Sequence, residues 1–200
     1  MGFTPWAWEP VLDTWTFPGQ EGQLTQVDVY SADEEVELLV NRVSFGRKPA
    51  GAAVENKVSF DVPYQPGTIE SVGYTGGKET GRHHLVTASA PSALHLSPDR
   101  PVIQAGGADL AYVTIEIKDQ HGVMVKHGEP LISVEVGGAG ELIAIGSGNP
   151  LSDEIYQVDQ HKAFQGRLLA SLRSTERAGS ITVTAWMEGV PASVLTLESR

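Results

Sequence analysis

Along most of this chain apolar residues recur at every second position, in short runs interrupted by glycine and proline. Val36, Leu38 and Val40 alternate with Glu37 and Leu39, and Val58, Phe60 and Val62 alternate with Ser59 and Asp61. A period of two sends successive side chains to opposite faces, as a strand half-buried in a sheet requires. Residues 110–118 carry the longest such run: Ala111, Val113, Ile115 and Ile117 make a buried face, and Leu110, Tyr112, Thr114, Glu116 and Lys118 the other. No convincing amphipathic helix competes. The nearest candidate, residues 154–169, is weakened by Gly166 and its β-branched members.

Turn chemistry divides these runs. Asn41-Arg42 stands where a two-residue hairpin turn belongs, because Asn tolerates a positive φ. Pro66-Gly67 puts proline second and glycine third in a turn, and Gly76-Gly77 and Gly106-Gly107 close further strands. Residues 13–48, the stretch around which the rest is organised, therefore read as a β-meander with one apolar face, its strands near 23–30, 36–40 and 43–45. Strands at 58–62, 68–74 and 83–87 complete that module. Ser89-Ala90-Pro91-Ser92 is a link of small residues, so domains are expected at 1–90 and 91–200. The second holds strands near 93–96, 102–104, 110–118, 131–136, 142–145, 168–172, 180–186 and 194–197. A glycine loop is expected at 137–140 and a long connection from 146 to 160. The predicted fold class is all-β: two tandem immunoglobulin-like antiparallel β-sandwich domains.

Composition agrees. The 22 Gly and 12 Pro among 200 residues suit many short strands and turns. A net charge of −11 argues against a nucleic-acid partner, whose phosphates it would repel. With no cysteine there is no disulfide framework and no thiol chemistry. No apolar run approaches the roughly 18 residues of a membrane span. The first ten residues lack a basic region followed by an apolar core, so no signal peptide is expected; the compartment is left open, with the cytoplasm slightly favoured. Two tryptophans within eight residues are an odd start for a free terminus and read as a chain cut in mid-protein.

Specific residues then carry a resemblance. Trp15, Phe17-Pro18-Gly19, Glu21-Gly22, Val29-Tyr30-Ser31, Glu35-Val36-Glu37-Leu38, Asn41 and Gly46 resemble the β-sandwich that follows the catalytic barrel in many family 2 glycoside hydrolases, the β-galactosidase-like enzymes. So do Val62-Pro63-Tyr64, Pro66-Gly67-Thr68-Ile69, Val72-Gly73-Tyr74 and Thr87-Ala88. Those enzymes usually have Asn-Gly where this chain has Asn41-Arg42. The run from Ala108-Asp109-Leu110 to Gly122 is similar to immunoglobulin-like modules near the C-terminus of the same hydrolases and in bacterial adhesins. Asn149-Pro150, Lys162-Ala163-Phe164 and Gly166 resemble a recurring part of that module, in which Phe164 would pack beneath the loop. The resemblance implies a parent enzyme that cleaves a terminal β-glycosidic bond with two glutamates on an upstream barrel and no organic cofactor. None of this chain's residues matches those glutamates, so no catalytic, cofactor-binding or metal-binding residue is assigned. The implied partner is the upstream catalytic domain of the same chain, with a carbohydrate and a second copy of the chain as further candidates.

Candidate chemistry is sparse. Trp6 and Trp8, two apart on an extended segment, share a face that would stack on a sugar or pack on a neighbouring domain. Trp15 is a third such candidate, with core packing its favoured use. The acidic run at 31–35 reads as a solvated loop, since adjacent carboxylates do not oppose each other across a scissile bond. His83-His84 point to opposite faces of a strand and do not share an ion. Asp153, Glu154 and Asp159 lie in the long connection without EF-hand spacing. Gly146-Ser147-Gly148 is no nucleophile elbow, and no Gly-Lys-Ser/Thr follows the glycines at 137–140. Two other classes remain. A carbohydrate-binding module would draw its platform from Trp6, Trp8, Trp15, Tyr64, Tyr74 and Trp186. An adhesin-like spacer would repeat its modules, and the two halves share no repeat motif.

Overall fold

The computed structural model describes residues 11–200, which form fifteen β-strands and one single-turn 3-10 helix, Ala52–Val54. Two compact units result, the first ending at Thr87 and the second running Ala88–Arg200.

The first unit contains β1 (Leu24–Tyr30), β2 (Glu35–Val40), β3 (Val43–Pro49), β4 (Lys57–Pro63), β5 (Thr68–Thr75) and β6 (Lys78–Val86). The alternation of β2 buries Val36, Leu38 and Val40, and that of β4 buries Val58, Phe60 and Val62. The two runs face each other from different sheets. A two-stranded antiparallel sheet, β1-β4, lies over a four-stranded sheet ordered β3-β2-β5-β6.

This ordering corrects the expected meander. Strand β1 does not pair with β2; it pairs with β4, Leu24 opposite Pro63 and Tyr30 opposite Lys57. Only β2 and β3 form the anticipated hairpin. Both edges of β2 are taken, by β3 and β5, and the connection from β1 crosses between the sheets. Asp33 is drawn toward the far sheet, where its carboxylate accepts the hydroxyls of Thr75 at 3.2 Å and Thr80 at 2.7 Å, while Ser31 holds it at 2.8 Å. The acidic run is thus a clasp carrying the chain from one sheet to the other. Hydrogen bonds from Thr80 and then Ser31 keep the Asp33 carboxyl below its ordinary pKa. Gly73 makes room, since a Cβ there would sit 2.0 Å from the Asp33 carboxylate oxygen.

The hairpin turn takes its shape from Asn41 and Arg42, with φ of 49° and 68°. Positive values at both central residues belong to a type I′ turn, whose twist matches that of the flanking strands. Asn41 does more. Its amide donates to Pro66 O at 3.0 Å and accepts from Thr68 N–H at 2.9 Å, fixing the hairpin to the Pro66-Gly67 turn.

The second unit contains β7 (Pro91–Pro98), β8 (Val102–Ile103), β9 (Leu110–Asp119), β10 (Leu131–Gly138), β11 (Gly140–Gly146), β12 (Gln160–Lys162), β13 (Arg167–Ser174), β14 (Gly179–Met187) and β15 (Val190–Ser199). A five-stranded sheet, β12-β10-β14-β15-β8, packs on a four-stranded sheet, β11-β13-β9-β7. Buried residues of β9, β13 and β14 supply much of an aliphatic core, including Val113, Ile115, Ala170, Leu172, Ile181 and Val183. The glycine run at 137–140 is less of a loop than its composition suggests: Gly137 and Gly138 end β10, Gly140 opens β11, and only Ala139 stands between. Gly140 packs so closely that a Cβ would lie 2.8 Å from the Ile181 side chain.

Asp119 organises the turn after β9. Its buried carboxylate accepts backbone N–H groups from Ser89, His121 and Val123, each at 2.9 Å. Burial pushes the carboxyl up, but those N–H donors outweigh it and hold the pKa below the ordinary value.

Candidate functional site

Trp15 lies in the core of the first unit, 2% exposed. Its ring meets Phe17 and Tyr64 edge to face, with centroids 6.1 and 5.1 Å apart, and its indole N–H donates to Gln65 O at 3.0 Å. Edge-to-face packing of this kind adds to the stabilisation from burial alone. An indole so enclosed packs in the core. Tyr64 is likewise buried, and its hydroxyl accepts from Phe17 N–H at 3.2 Å. Trp6 and Trp8 fall outside the described residues. Of the remaining aromatic candidates, Tyr74 is committed to Glu37 and lies beneath the Arg47 guanidinium, 3.6 Å from the ring centroid. Trp186, 40% exposed, sits on a strand facing away from the core.

Several acidic groups have structural partners. Asp28 is buried enough to raise its pKa, but hydrogen bonds from Ser59, Gln26 and Lys57 override this and lower it. Glu37 accepts from Ser44 at 2.6 Å and Tyr74 at 3.0 Å. Glu154 accepts from Lys162 N–H at 3.3 Å and lies 3.5 Å from His161 Nδ1, tying the long connection to β12. His83 and His84 are both exposed on β6. Among the described residues no group of three or more His, Cys, Asp or Glu is arranged to hold a metal ion. An acid and a base in opposition, each with a pKa suited to proton transfer, are what glycosidic cleavage needs. The paired and lowered carboxylates here instead serve as acceptors within the fold.

Two concavities have a different character. In the first unit, a groove of about 690 Å³ opens where β1 has no strand partner on its outer edge. Val27, Val29, Leu38, Ile69 and Leu85 line it, with Val11 and Leu12 at its rim. In the second unit, a cavity of about 460 Å³ lies against the outer surface of β11 and β13. Tyr156 from the long connection forms one wall, and Thr114, Ser147, Ser171 and Arg167 contribute polar groups. Tyr156 was absent from the sequence candidates, since it stands in an aperiodic loop without a motif.

Comparison with known proteins agrees with this division. Residues 94–196 match the model of the glycoside hydrolase family 2 C-terminal domain 5. Residues 22–81 match a domain of unknown function, DUF4982. The β-galactosidase BoGH2A of Bacteroides ovatus is 30% identical over 99% of this chain, which corresponds to 22% of that protein. A solved glycosyl hydrolase family 2 member from Bacteroides cellulosilyticus superposes with a TM-score of 0.91 at 34% identity, covering 94% of this chain and 24% of its own. A β-glycosidase from Bacteroides vulgatus gives 0.82 at 30% identity, with the same coverage of 94% and 24%. The chain therefore spans about a fifth to a quarter of the length of these relatives. Its two sandwiches, matched along nearly their whole length, belong to glycoside hydrolase family 2, in the C-terminal region of such proteins.

Proposed function

We propose that this chain is the non-catalytic C-terminal accessory region of a glycoside hydrolase, and that a catalytic domain upstream in the same polypeptide cleaves a β-glycosidic bond. The carrying observation is coverage: the match takes in 99% of this chain and only 22% of the β-galactosidase from Bacteroides ovatus. β-Galactosides are accordingly the first substrates to test. The carboxylates support the same reading. Asp28, Asp33, Glu37 and Asp119 all have lowered pKa values and are held by hydroxyl or N–H donors, an arrangement suited to acceptors rather than to a general acid. An accessory sandwich would brace the catalytic domain and cover part of its surface.

The test is an assay of the 200-residue chain beside the full-length polypeptide on p-nitrophenyl β-D-galactopyranoside and related nitrophenyl β-glycosides. The expected result is an inert chain and an active full-length protein. Hydrolysis by the chain alone would overturn the reading, as would a full-length protein inactive on every β-glycoside tried.

A further inference from the structure

The cavity beside Tyr156 is built. Ile145 N–H donates to the Tyr156 carbonyl at 2.8 Å, which fixes that residue's backbone to the end of β11. The ring lies over Gly146, where a Cβ would come within 2.6 Å of Tyr156 Cδ1, so glycine is what lets the ring settle there. Its plane is parallel to the His161 ring within 3°, with centroids 6.0 Å apart. His161 is fully buried, and its Nδ1–H donates to Lys162 O at 2.9 Å, which anchors the stack. Despite these supports Tyr156 remains 54% exposed. A rigid aromatic face beside a cavity loses little entropy on binding a ligand.

Groups of another kind share the cavity with this ring. The hydroxyls of Thr114, Ser147 and Ser171 line the cavity and make no side-chain hydrogen bond among the described residues. Arg167 also lines it, but its guanidinium is taken by Glu116, at 3.0 Å from Nη2 and 3.1 Å from Nε. An aromatic wall and unpaired hydroxyls lining one cavity suit a ligand with an apolar C–H face and a rim of hydroxyl groups, which is the chemistry of a pyranose ring. The committed guanidinium and the net charge of −11 disfavour an acidic sugar. A volume of about 460 Å³ accommodates such a ring, being within the roughly 300–1,000 Å³ range of small-molecule sites.

We propose that this cavity is a non-catalytic saccharide site that stacks one neutral pyranose unit on Tyr156. The proposal rests on the hydrolase reading above, since it gives the accessory region a hold on a glycan while cleavage happens elsewhere.

The test is a titration of the 200-residue chain with lactose, cellobiose and glucuronate, followed by NMR of the Tyr156 ring and by calorimetry. Neutral disaccharides are expected to shift the Tyr156 resonances, with glucuronate binding more weakly. Tyr156→Ala should weaken binding roughly tenfold, while Tyr156→Phe should stay within about twofold, because the ring rather than the hydroxyl makes the stack. Ser171→Trp fills the cavity from the sheet side, leaves the residues of the loop unchanged and should abolish binding; it decides the matter if Tyr156→Ala unfolds. Trp186→Ala, on the other sheet, should bind as the parent does. Absence of any shift, equal binding by Tyr156→Ala and Ser171→Trp, or preference for glucuronate would overturn the proposal. So would self-association of the chain that disappears in Tyr156→Ala, which would make the surface a protein contact. None of these results bears on whether the full-length protein hydrolyses glycosides, so the two readings fail separately.

Discussion

The two units solve the same packing problem with different means. The first has a two-stranded sheet over four strands, and ten buried apolar residues in its core cluster; the second has five strands over four, and twenty. The smaller core contains Trp15, Phe60 and Tyr64, whereas the larger contains no aromatic residue. Rings contribute more buried area per residue than aliphatic side chains, so a short sheet fills its interior with few of them. The first unit also relies on side chains that cross between elements, Asp33 on Thr75 and Thr80, Asn41 on Pro66 and Thr68. A small core concentrates stability in a few positions, and a large one spreads it.

The sharpest way to break this contrast is Trp15→Ala. Loss of a buried indole should cost about 4 kcal/mol. Hydrogen exchange should show protection falling across β4 and β5, while β9 and β13 keep theirs; equal loss in both units would refute the separation. Next in size is Asp119→Ala, expected to cost about 3 kcal/mol at neutral pH, because the substitution removes a buried charged acceptor that takes N–H bonds from Ser89, His121 and Val123. The Asp119 carboxyl has a lowered pKa in the fold, so its stabilisation is complete above the unfolded value of about 3.9 and is lost as pH falls through the lower folded value. Urea titrations at pH 7 and pH 3 should therefore show a smaller difference between parent and variant at the lower pH. Gly73→Ala tests the clasp: its new Cβ would displace Asp33, costing about 2 kcal/mol by thermal denaturation. The smallest effect should be a gain. Arg42→Gly relieves a positive φ of 68° and should add about 1 kcal/mol, seen as a higher urea midpoint with unchanged slope.

The strands themselves were legible in the sequence wherever one face is buried and the other wet. Residues 111, 113, 115 and 117 are all buried, as their alternation implies. What alternation cannot specify is the partner. The pattern of β1 is the same whether it pairs with β2 or β4, and the outcome shows only in the sheet order, where β3 and β5 take both edges of β2. Glycine was similarly ambiguous at 137–140. There it permits close approach to Ile181 and a φ of 84° at Gly138, both compatible with strands on either side of one residue. Trp15 was readable as a core residue, but its ring partners Phe17 and Tyr64 were not. Tyr156 gave no periodic signal at all. Its position depends on Gly146 and His161, which the sequence separates from it on either side and the fold brings together.

Strand β15 sits between β14 and β8 rather than at a sheet edge, and Ser193 Oγ reaches Leu94 O across 99 residues. On the ribosome this means that the second unit cannot close as it emerges. Strands β7 to β14 must wait, with the edge of β14 unpaired and part of the aliphatic interior wet, until β15 has been synthesised and inserted between its neighbours. Such an interval of exposed edge and apolar surface is where nascent chains aggregate or engage chaperones. The yield of folded protein should then depend on how quickly translation proceeds through residues 190–199, a segment far in sequence from the strand it must reach.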